Sequence, residues 1–476
     1  MTTGGIRLLR EYQEFNAKRL GLDERDWTDL EAFARKNQQD KAGNYRPVLA
    51  FGSRKHTLKA TNFVGVLSTR RGRLIEILPK IDLAPSGEAM GASDATGTPG
   101  SAGSAAPSSP SSRPRTSVGR TGSRLTRSDD YERTREVFLQ MLRTWRGLRH
   151  TELPPSAIRS LRRFPMLEVF AHLFLQNLAH LARHGLARRY VRVEDNLPYL
   201  RGRLLFQQHV RENLTDRTRF YVAHDEFNPN RPANRLIRSS LDRLKRIARN
   251  EENRRLLGEL TDAFADVPPT RDPEGDWRRH SVDRTMQHYR PVMAWVRLFL
   301  FGQGLATFHG KHENQSLLFP MEKIYEDFVT HCFRRHQDEY EVRAQGPRKK
   351  LTRRPPAFTM KPDMTLQKSG TAAFILDTKW KRLRSRAADP TERGVSQADM
   401  YQLYAYGKRH GCRTVALVYP RTDDFGEPLR FVFHDDLTLL CLPFDVSMPQ
   451  DSVKRCLNWL SRSTMDLEPE ARAEPA

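Results

Sequence analysis

The sequence predicts a multidomain α+β protein, with a small β-rich N-terminal module, a helical middle region and a C-terminal α/β core built on a mixed sheet. Three observations predict it. The chain has 476 residues, more than one ordinary hydrophobic core accommodates. Its apolar pattern changes twice, from short β-like runs to long helical stretches and then to a mixture of both. A stretch nearly free of large apolar side chains, residues 84–128, separates the first pattern from the second.

Residues 1–83 make up the first module. A polar helical stretch around Trp27 to Arg35 precedes the β-like runs PVLAF, HTLKA, FVGVLS and RLIEILPKI. Turn residues at Gly52-Ser53 and Arg71-Gly72 separate some of these runs and suggest hairpins. Residues 84–128 are rich in Gly, Ser, Ala, Pro and Thr and cannot bury enough surface to fold, so a disordered linker is expected. Its second half carries Arg113, Arg115, Arg120, Arg124 and Arg127 without an acid. It reads as a flexible tether or, more sharply, as an arm that touches DNA phosphates.

Residues 129–315 read as mostly helical. Val137 to Trp145 is amphipathic, and FPMLEVFAHLFLQNLAHLARHGL (164–186) is a buried helix, with Pro165 near its start and Gly185 at its stop. A short β-like segment spans Tyr190 to Val193, and later helices begin at Asn234 and near Met293. From 316 to 462 the helix PMEKIYEDFVTHCFRRH leads into the strands YEVRAQ, FTMKPDMTL and AAFILDTKW. A helix from about Gln397 to Lys408 and the strands RTVALVYP, LRFVFH and LTLLCLPF follow, an order that gives the α/β core its mixed sheet. Residues 463–476 are a tail.

Charge and cysteine usage bound the function. Lys and Arg number 80 against 57 Asp and Glu, a net charge of +23, which favours nucleic acid over a simple solubility charge or an acidic partner protein. Cys332, Cys412, Cys441 and Cys456 lie too far apart for a zinc ribbon or disulfide framework and fit a reducing compartment. The N-terminus lacks an apolar signal core, and no apolar run approaches the ~20 residues needed to span a bilayer. A cytoplasmic protein that binds no membrane is expected. No G-x-x-x-x-G-K-[ST] motif is present, so the chain lacks this phosphate cradle for an NTP; if an NTP drives its activity, another polypeptide must bind it.

The chemistry-bearing residues lie in the C-terminal part. Hydrolysis of a phosphodiester needs a divalent cation, an activated water and stabilisation of charge on phosphorus; Mg²⁺ is usually held by one or two carboxylates, with water and phosphate completing its shell. Asp363 follows Pro362 on one expected strand, and Asp377 lies near the end of AAFIL. Period two places Asp377 and Lys379 on one face of their strand. Two carboxylates then hold a metal while the ammonium orients or deprotonates a water; a surface ion pair is the plainer reading of an acid and a lysine at i, i+2. Glu326, on a helix whose Ile324, Phe328 and Val329 face the core, is a candidate third carboxylate or an ordinary exposed helix acid, and Gln402 and Tyr406 share a helix face.

The run MKPDMTL…AFILDTKWK…SQADMYQLYAYG resembles the PD-(D/E)xK nuclease superfamily, and the pair Gln402 and Tyr406 resembles its RecB-like branch. More specifically, VGVLSTRRGRLIEILPKI, GLARRYVRVEDNLPYLRGRLLF and YVAHDEFNPNRPANRLI are similar, in family order, to the McrC family, the nuclease subunit of McrBC-type modification-dependent restriction systems. The resemblance implies a PD-(D/E)xK core in the last domain and an Mg²⁺- or Mn²⁺-dependent endonuclease acting on DNA. It implies that Asp363 and Asp377 bind metal, that Lys379 acts with the two aspartates in catalysis, and that Gln402 and Tyr406 support the site or the DNA; Glu326, read from its own position, is the candidate third metal ligand. It also implies a partner, an McrB-like AAA+ GTPase ring that binds the GTP, recognises DNA (often modified cytosine) and is stimulated when the non-nuclease portion docks on it. The 84–128 linker looks like an insertion. A DNA-binding adaptor that activates the ring without cutting, and a stand-alone RecB-like nuclease, are the competing readings.

Other chemistry-bearing residues read as structural. His172, His180 and His184 share a helix without a Cys and read as ordinary interface or surface histidines rather than ligands. His309 and His312 read as loop residues. Asp225, Asn228 and Asn230 lack the spacing and central Gly of a calcium loop and read as a turn capped by Asx side chains.

Overall fold

The structure is a computed structural model that describes residues 6–36, 47–69, 73–81, 126–145, 164–281, 284–301, 317–383 and 394–465. The turn at Arg71-Gly72, the linker up to residue 125 with Arg113, Arg115, Arg120 and Arg124, the histidines His309 and His312, and the tail beyond 465 lie outside the described residues.

The first module carries two sheets. Its helix, Glu24–Lys36, buries Trp27, Leu30 and Ala34 on one face, and Asp23 caps its start by accepting from the Asp26 amide at 2.8 Å. The four expected runs become the strands Leu49–Phe51, Leu58–Ala60, Phe63–Ser68 and Leu74–Leu78. Two strands escaped the sequence reading. Glu14–Phe15 adds to Leu58–Ala60, and Ile6–Arg10 runs parallel to Leu74–Leu78. The four-stranded sheet closes with Leu317–Pro320, which pairs antiparallel with Phe63–Ser68, so the C-terminal segment starts inside the N-terminal sheet. Gly65 makes this possible, since a Cβ there would lie 2.0 Å from the Leu317 carbonyl oxygen.

Helices dominate the middle region. Thr126–Thr144 begins inside the segment expected to be linker. Met166–Arg183 follows Pro165 and stops before Gly185, whose φ of 86° continues the chain in a left-handed turn. This helix is buried along most of its length, as its apolar run requires. Pro232–Ile247, Glu251–Ala263 and Arg290–Phe301 pack with it in a core that continues into the C-terminal helices. His172 is a satisfied core residue, with its Nδ1 3.0 Å from Asn253 Oδ1 and its Nε2 2.8 Å from Gln176. The short segment expected at Tyr190 to Val193 is the start of a nine-residue strand, Arg189–Leu197, paired antiparallel with Phe220–Asn228 and extended by Arg203–Leu204. Asp225 therefore lies in a strand and not in a turn; only Asn228 forms an Asx turn, accepting from the Asn230 amide at 3.1 Å. The cross-strand partners that create this sheet lie about thirty residues apart, and local patterning does not report such pairing.

The C-terminal part holds a six-stranded mixed sheet, in the order Glu341–Ala344, Met364–Lys368, Thr371–Thr378, Thr414–Pro420, Thr438–Phe444, Leu429–Val432. Met364–Lys368 and Thr371–Thr378 form a hairpin whose turn, Ser369-Gly370, has φ of 51° and 80°, the left-handed pair that suits strand twist. Thr371–Thr378, Thr414–Pro420 and Thr438–Phe444 run parallel. Period two divides the layers. Phe374 and Leu376 pack with the helices Met321–Arg335 and Pro449–Met465, whereas Ile375 faces Leu403 and Tyr406 of the helix Gln397–His410. The four cysteines are free and buried. Among the described residues no helix is long and apolar enough to cross a membrane.

Candidate active site

Asp377 occupies the carboxyl end of Thr371–Thr378 and Lys379 the second position after it, beside the parallel neighbour Thr414–Pro420. Open α/β sheets leave a crevice at the carboxyl ends of parallel strands, where the connections turn away. The Lys379 amide donates to the Val418 carbonyl at 2.9 Å and anchors the backbone just past the strand. Asp377 shares the face of Ile375, so its carboxylate points toward the helix Gln397–His410, two layers of apolar residues having fixed the register.

Asp363 departs in detail from the sequence reading. The run FTMKPDMTL is not one strand but two, Thr359–Met360 and Met364–Lys368, with Asp363 in the bend between them. Pro362 offers no amide to a ladder, which ends the pairing there. Asp363 thus precedes its strand, but the antiparallel register of Met364 with Leu376 still brings it beside Asp377. Its Oδ2 accepts from the Thr378 amide at 2.9 Å and from Thr378 Oγ1 at 2.7 Å.

Glu326 reaches the site from the helix Met321–Arg335 and is buried, 3% exposed. It accepts from Lys323 Nζ at 2.6 Å and from Gln345 Nε2 at 3.2 Å, while the Gln345 amide donates to the Asp363 carbonyl at 2.6 Å. Lys379 Nζ lies 2.8 Å from Asp377 Oδ2 and 3.2 Å from Asp399 Oδ1, and donates to Gln402 Oε1 at 3.3 Å. Gln402 Nε2 in turn donates to Tyr406 Oη at 2.9 Å. All six residues singled out in the sequence therefore lie in one polar network or in its electrostatic reach.

Charge crowding sets the electrostatics. Burial, then Asp377 and Glu326, push the Asp363 carboxyl up to about 7. Burial also raises Asp377, opposed by the neighbouring Lys379. Lys379 is held above the ordinary lysine range: its burial is outweighed by Asp377 and Asp399, so the side chain is an ammonium at neutral pH.

Asp399 is the residue that sequence reasoning missed. It stands three before Gln402 and seven before Tyr406, on the same helix face, and that spacing was a usable signal. Lys323, one turn before Glu326, carried the same kind of signal. Gln345 and Thr378 carried none, because their roles come from sheet register.

The donor set suits a hard divalent cation. It is all oxygen, it is partly buried, and its carboxylates raise one another's affinity for positive charge. Asp377 Oδ2 is buried, with Lys379 Nζ as its close polar neighbour at 2.8 Å. Asp363 stands beside it, its Oδ2 already accepting two hydrogen bonds from Thr378. Among the described residues no three His, Cys, Asp or Glu side chains already converge as a metal cage.

These features define a class, the mixed α/β proteins with a buried acid–lysine centre at the carboxyl end of parallel strands. Within it, the chain belongs to the McrBC family, whose model, described as McrBC 5-methylcytosine restriction system component, matches residues 58–420. A chain of the solved half-complex from a tetradecameric assembly of Thermococcus gammatolerans McrB AAA+ hexamers with bound McrC shares the fold. Its TM-score is 0.64 at 19% identity, over 96% of this chain and 100% of that one. A chain from the cryo-EM structure of the Thermococcus gammatolerans McrBC complex aligns at a TM-score of 0.44 and 18% identity, over 71% of this chain and 89% of its own. No curated protein matches the chain.

Proposed function

We propose that the chain is the DNA-cleaving subunit of a modification-dependent restriction system, an Mg²⁺-dependent (or Mn²⁺-dependent) endonuclease with a PD-(D/E)xK core. The observation that supports this reading is the convergence of Asp363, Asp377 and Lys379, from a bend and a strand end, at the carboxyl end of the strand Thr371–Thr378. Asp363 and Asp377 would hold the cation, with Glu326 as the candidate third ligand. When bound, the cation supplies Lewis-acid polarisation of the phosphate and a more acidic water. Lys379, kept protonated by Asp377 and Asp399, stabilises negative charge developing on the phosphate and is a poor proton acceptor. Gln402 and Tyr406 hold the ammonium in place.

The reading extends to a partner. The solved neighbour of the same fold is an assembly of McrB AAA+ hexamers with bound McrC, and this chain has no phosphate-cradling loop of its own. We assign it the role of docking on, and stimulating, an McrB-like GTPase ring that binds the GTP and selects the DNA. Tyr190, Tyr199, Leu200, Phe206 and Phe227, exposed on and around the long middle hairpin, supply apolar surface for such docking. The test is a cleavage assay with the ring partner, GTP, Mg²⁺ and modified DNA, comparing wild type with Asp377→Ala and Lys379→Ala. Cutting undiminished in both variants sinks the assignment. A non-catalytic adaptor, favoured by the lack of a ready-formed three-acid cage among the described residues, predicts instead GTPase stimulation by wild type and variants alike and no cutting by any of them.

A further inference from the structure

A second charged site lies in the middle region, built from elements that contribute nothing to the acid–lysine centre. A cavity of about 370 Å³ opens where the strand Arg189–Leu197 begins and the helix Pro232–Ile247 starts. Arg189, Arg231, Arg235, Arg279, His280 and Ser281 line it, and no Asp or Glu does so among the described residues.

Its walls are rigid. The buried Asn234 donates to the carbonyls of Pro229 at 2.7 Å and Ala187 at 2.9 Å, and accepts from Tyr289 Oη at 2.8 Å. Tyr289 Oη also accepts from the Ala187 amide at 2.8 Å. Behind the lining, Asp276 grips Arg235 through two hydrogen bonds of 2.9 and 2.6 Å, and Arg279 through one of 3.0 Å. Arg235 also donates to Asn230 Oδ1 at 2.7 Å. These two guanidinium groups are therefore fixed in place. Arg189 and the half-buried Arg231 add positive charge, and no acid among the described residues forms an ion pair with either.

The helix adds to this field. It opens with Arg231 as its cap residue and Pro232 in its first turn, and no side chain caps its amides. Uncapped first-turn amides and the positive end of a sixteen-residue helix both favour an anion. Four guanidiniums surround one concavity; those of Arg235 and Arg279 are held and charge-compensated by Asp276, and Arg189 and Arg231 supply the uncompensated charge that suits phosphate oxygens.

We propose that this cavity is a phosphate-binding site, which takes either a backbone phosphate of a DNA strand or the phosphate of a free nucleotide-like anion. Its occupancy is independent of the proposed cleavage, so the test measures binding alone. The full chain is titrated, in EDTA, against a fluorescent DNA duplex and, separately, against sodium pyrophosphate by calorimetry. The double variant Arg189→Gln/Arg231→Gln is compared with the double lysine variant, which keeps the charge. The glutamine variant is expected to bind at least one probe about tenfold more weakly, with the lysine variant retaining most of the affinity. If the duplex is the affected probe, the slope of log K against log salt also becomes shallower by about one for each phosphate that is no longer neutralised. Weaker binding of the duplex only assigns the site to backbone phosphate, and weaker binding of pyrophosphate only assigns it to a free phosphate compound. The single variants Arg189→Gln and Arg231→Gln, each expected to give part of the effect, keep the test readable should the double variant be unstable. Unchanged binding of both probes by the glutamine variants overturns the proposal.

Discussion

Glu11 joins the N-terminal sheet to the acid–lysine centre, and its replacement by glutamine has a calculable consequence. It follows the strand Ile6–Arg10, is 2% exposed, and accepts from the Lys80 amide at 3.0 Å and from Trp380 Nε1 at 2.7 and 3.0 Å. Trp380 is the residue after Lys379, and its ring lies 5.2 Å from that of Tyr325, the residue before Glu326. Burial pushes the Glu11 carboxyl from its ordinary 4.5 up to about 7, against the opposing hydrogen bonds and the nearby Lys80 and Arg382. Because the folded-state value is raised, the folded chain holds a proton that the unfolded chain releases. The stabilisation from that proton is fully present below 4.5 and is lost as pH rises through about 7. At about 1.4 kcal/mol per pH unit, the loss amounts to roughly 3 kcal/mol. Glu11→Gln keeps an acceptor for Trp380 and removes the titration, at the cost of about 1 kcal/mol for an imperfect hydrogen bond. The variant is therefore expected to be about 1 kcal/mol less stable than wild type near pH 4.5 and about 2 kcal/mol more stable near pH 8. Urea unfolding followed by tryptophan fluorescence across this range measures the difference. A difference that stays flat between those two pH values refutes the reasoning.

Three further perturbations probe other links. Asp399→Asn takes one of two carboxylates from Lys379, so the ammonium pKa falls and acylation of Lys379 by acetic anhydride at alkaline pH speeds up several-fold; an unchanged rate would show that Asp399 does not hold the ammonium. Tyr406→Phe removes the acceptor of the Gln402 amide and is expected to slow cleavage roughly tenfold, equivalent to about 1.4 kcal/mol, with equal duplex affinity. A wild-type rate would detach Tyr406 from the site. Gly65→Ala forces a Cβ to within 2.0 Å of the Leu317 oxygen, from a φ of 138°, and is expected to destabilise the N-terminal sheet by about 3 kcal/mol or more. A melting temperature equal to that of wild type would mean that Leu317–Pro320 does not close that sheet.

Much of the candidate site was legible because its signals are local. Period two placed Asp377 and Lys379 on one face, and helical spacing placed Gln402 with Tyr406. The same spacing extends to Asp399, which the sequence reading did not include. The apolar helix at Met166–Arg183 and the four strands between Leu49 and Leu78 were equally legible, since each buries a face whose period is written in consecutive residues.

By itself, then, the sequence determined which segments are helix or strand wherever one face is apolar, and which acids, lysine, glutamine and tyrosine stand near strand ends and on a helix face. Only the tertiary structure decided what those faces meet. It paired Ile6–Arg10 with Leu74–Leu78, and brought Leu317–Pro320 against Phe63–Ser68 across most of the chain. It made a three-stranded antiparallel sheet where one short strand was expected, moved Asp363 from a strand into a bend, and set Glu11 against Trp380. The bend at Asp363 has a local cause in Pro362, but the physical reason is common to the other four. Each depends on contact between residues distant in sequence, whose free energy comes from burial and register in the assembled core, and no local period encodes which distant partner will be buried.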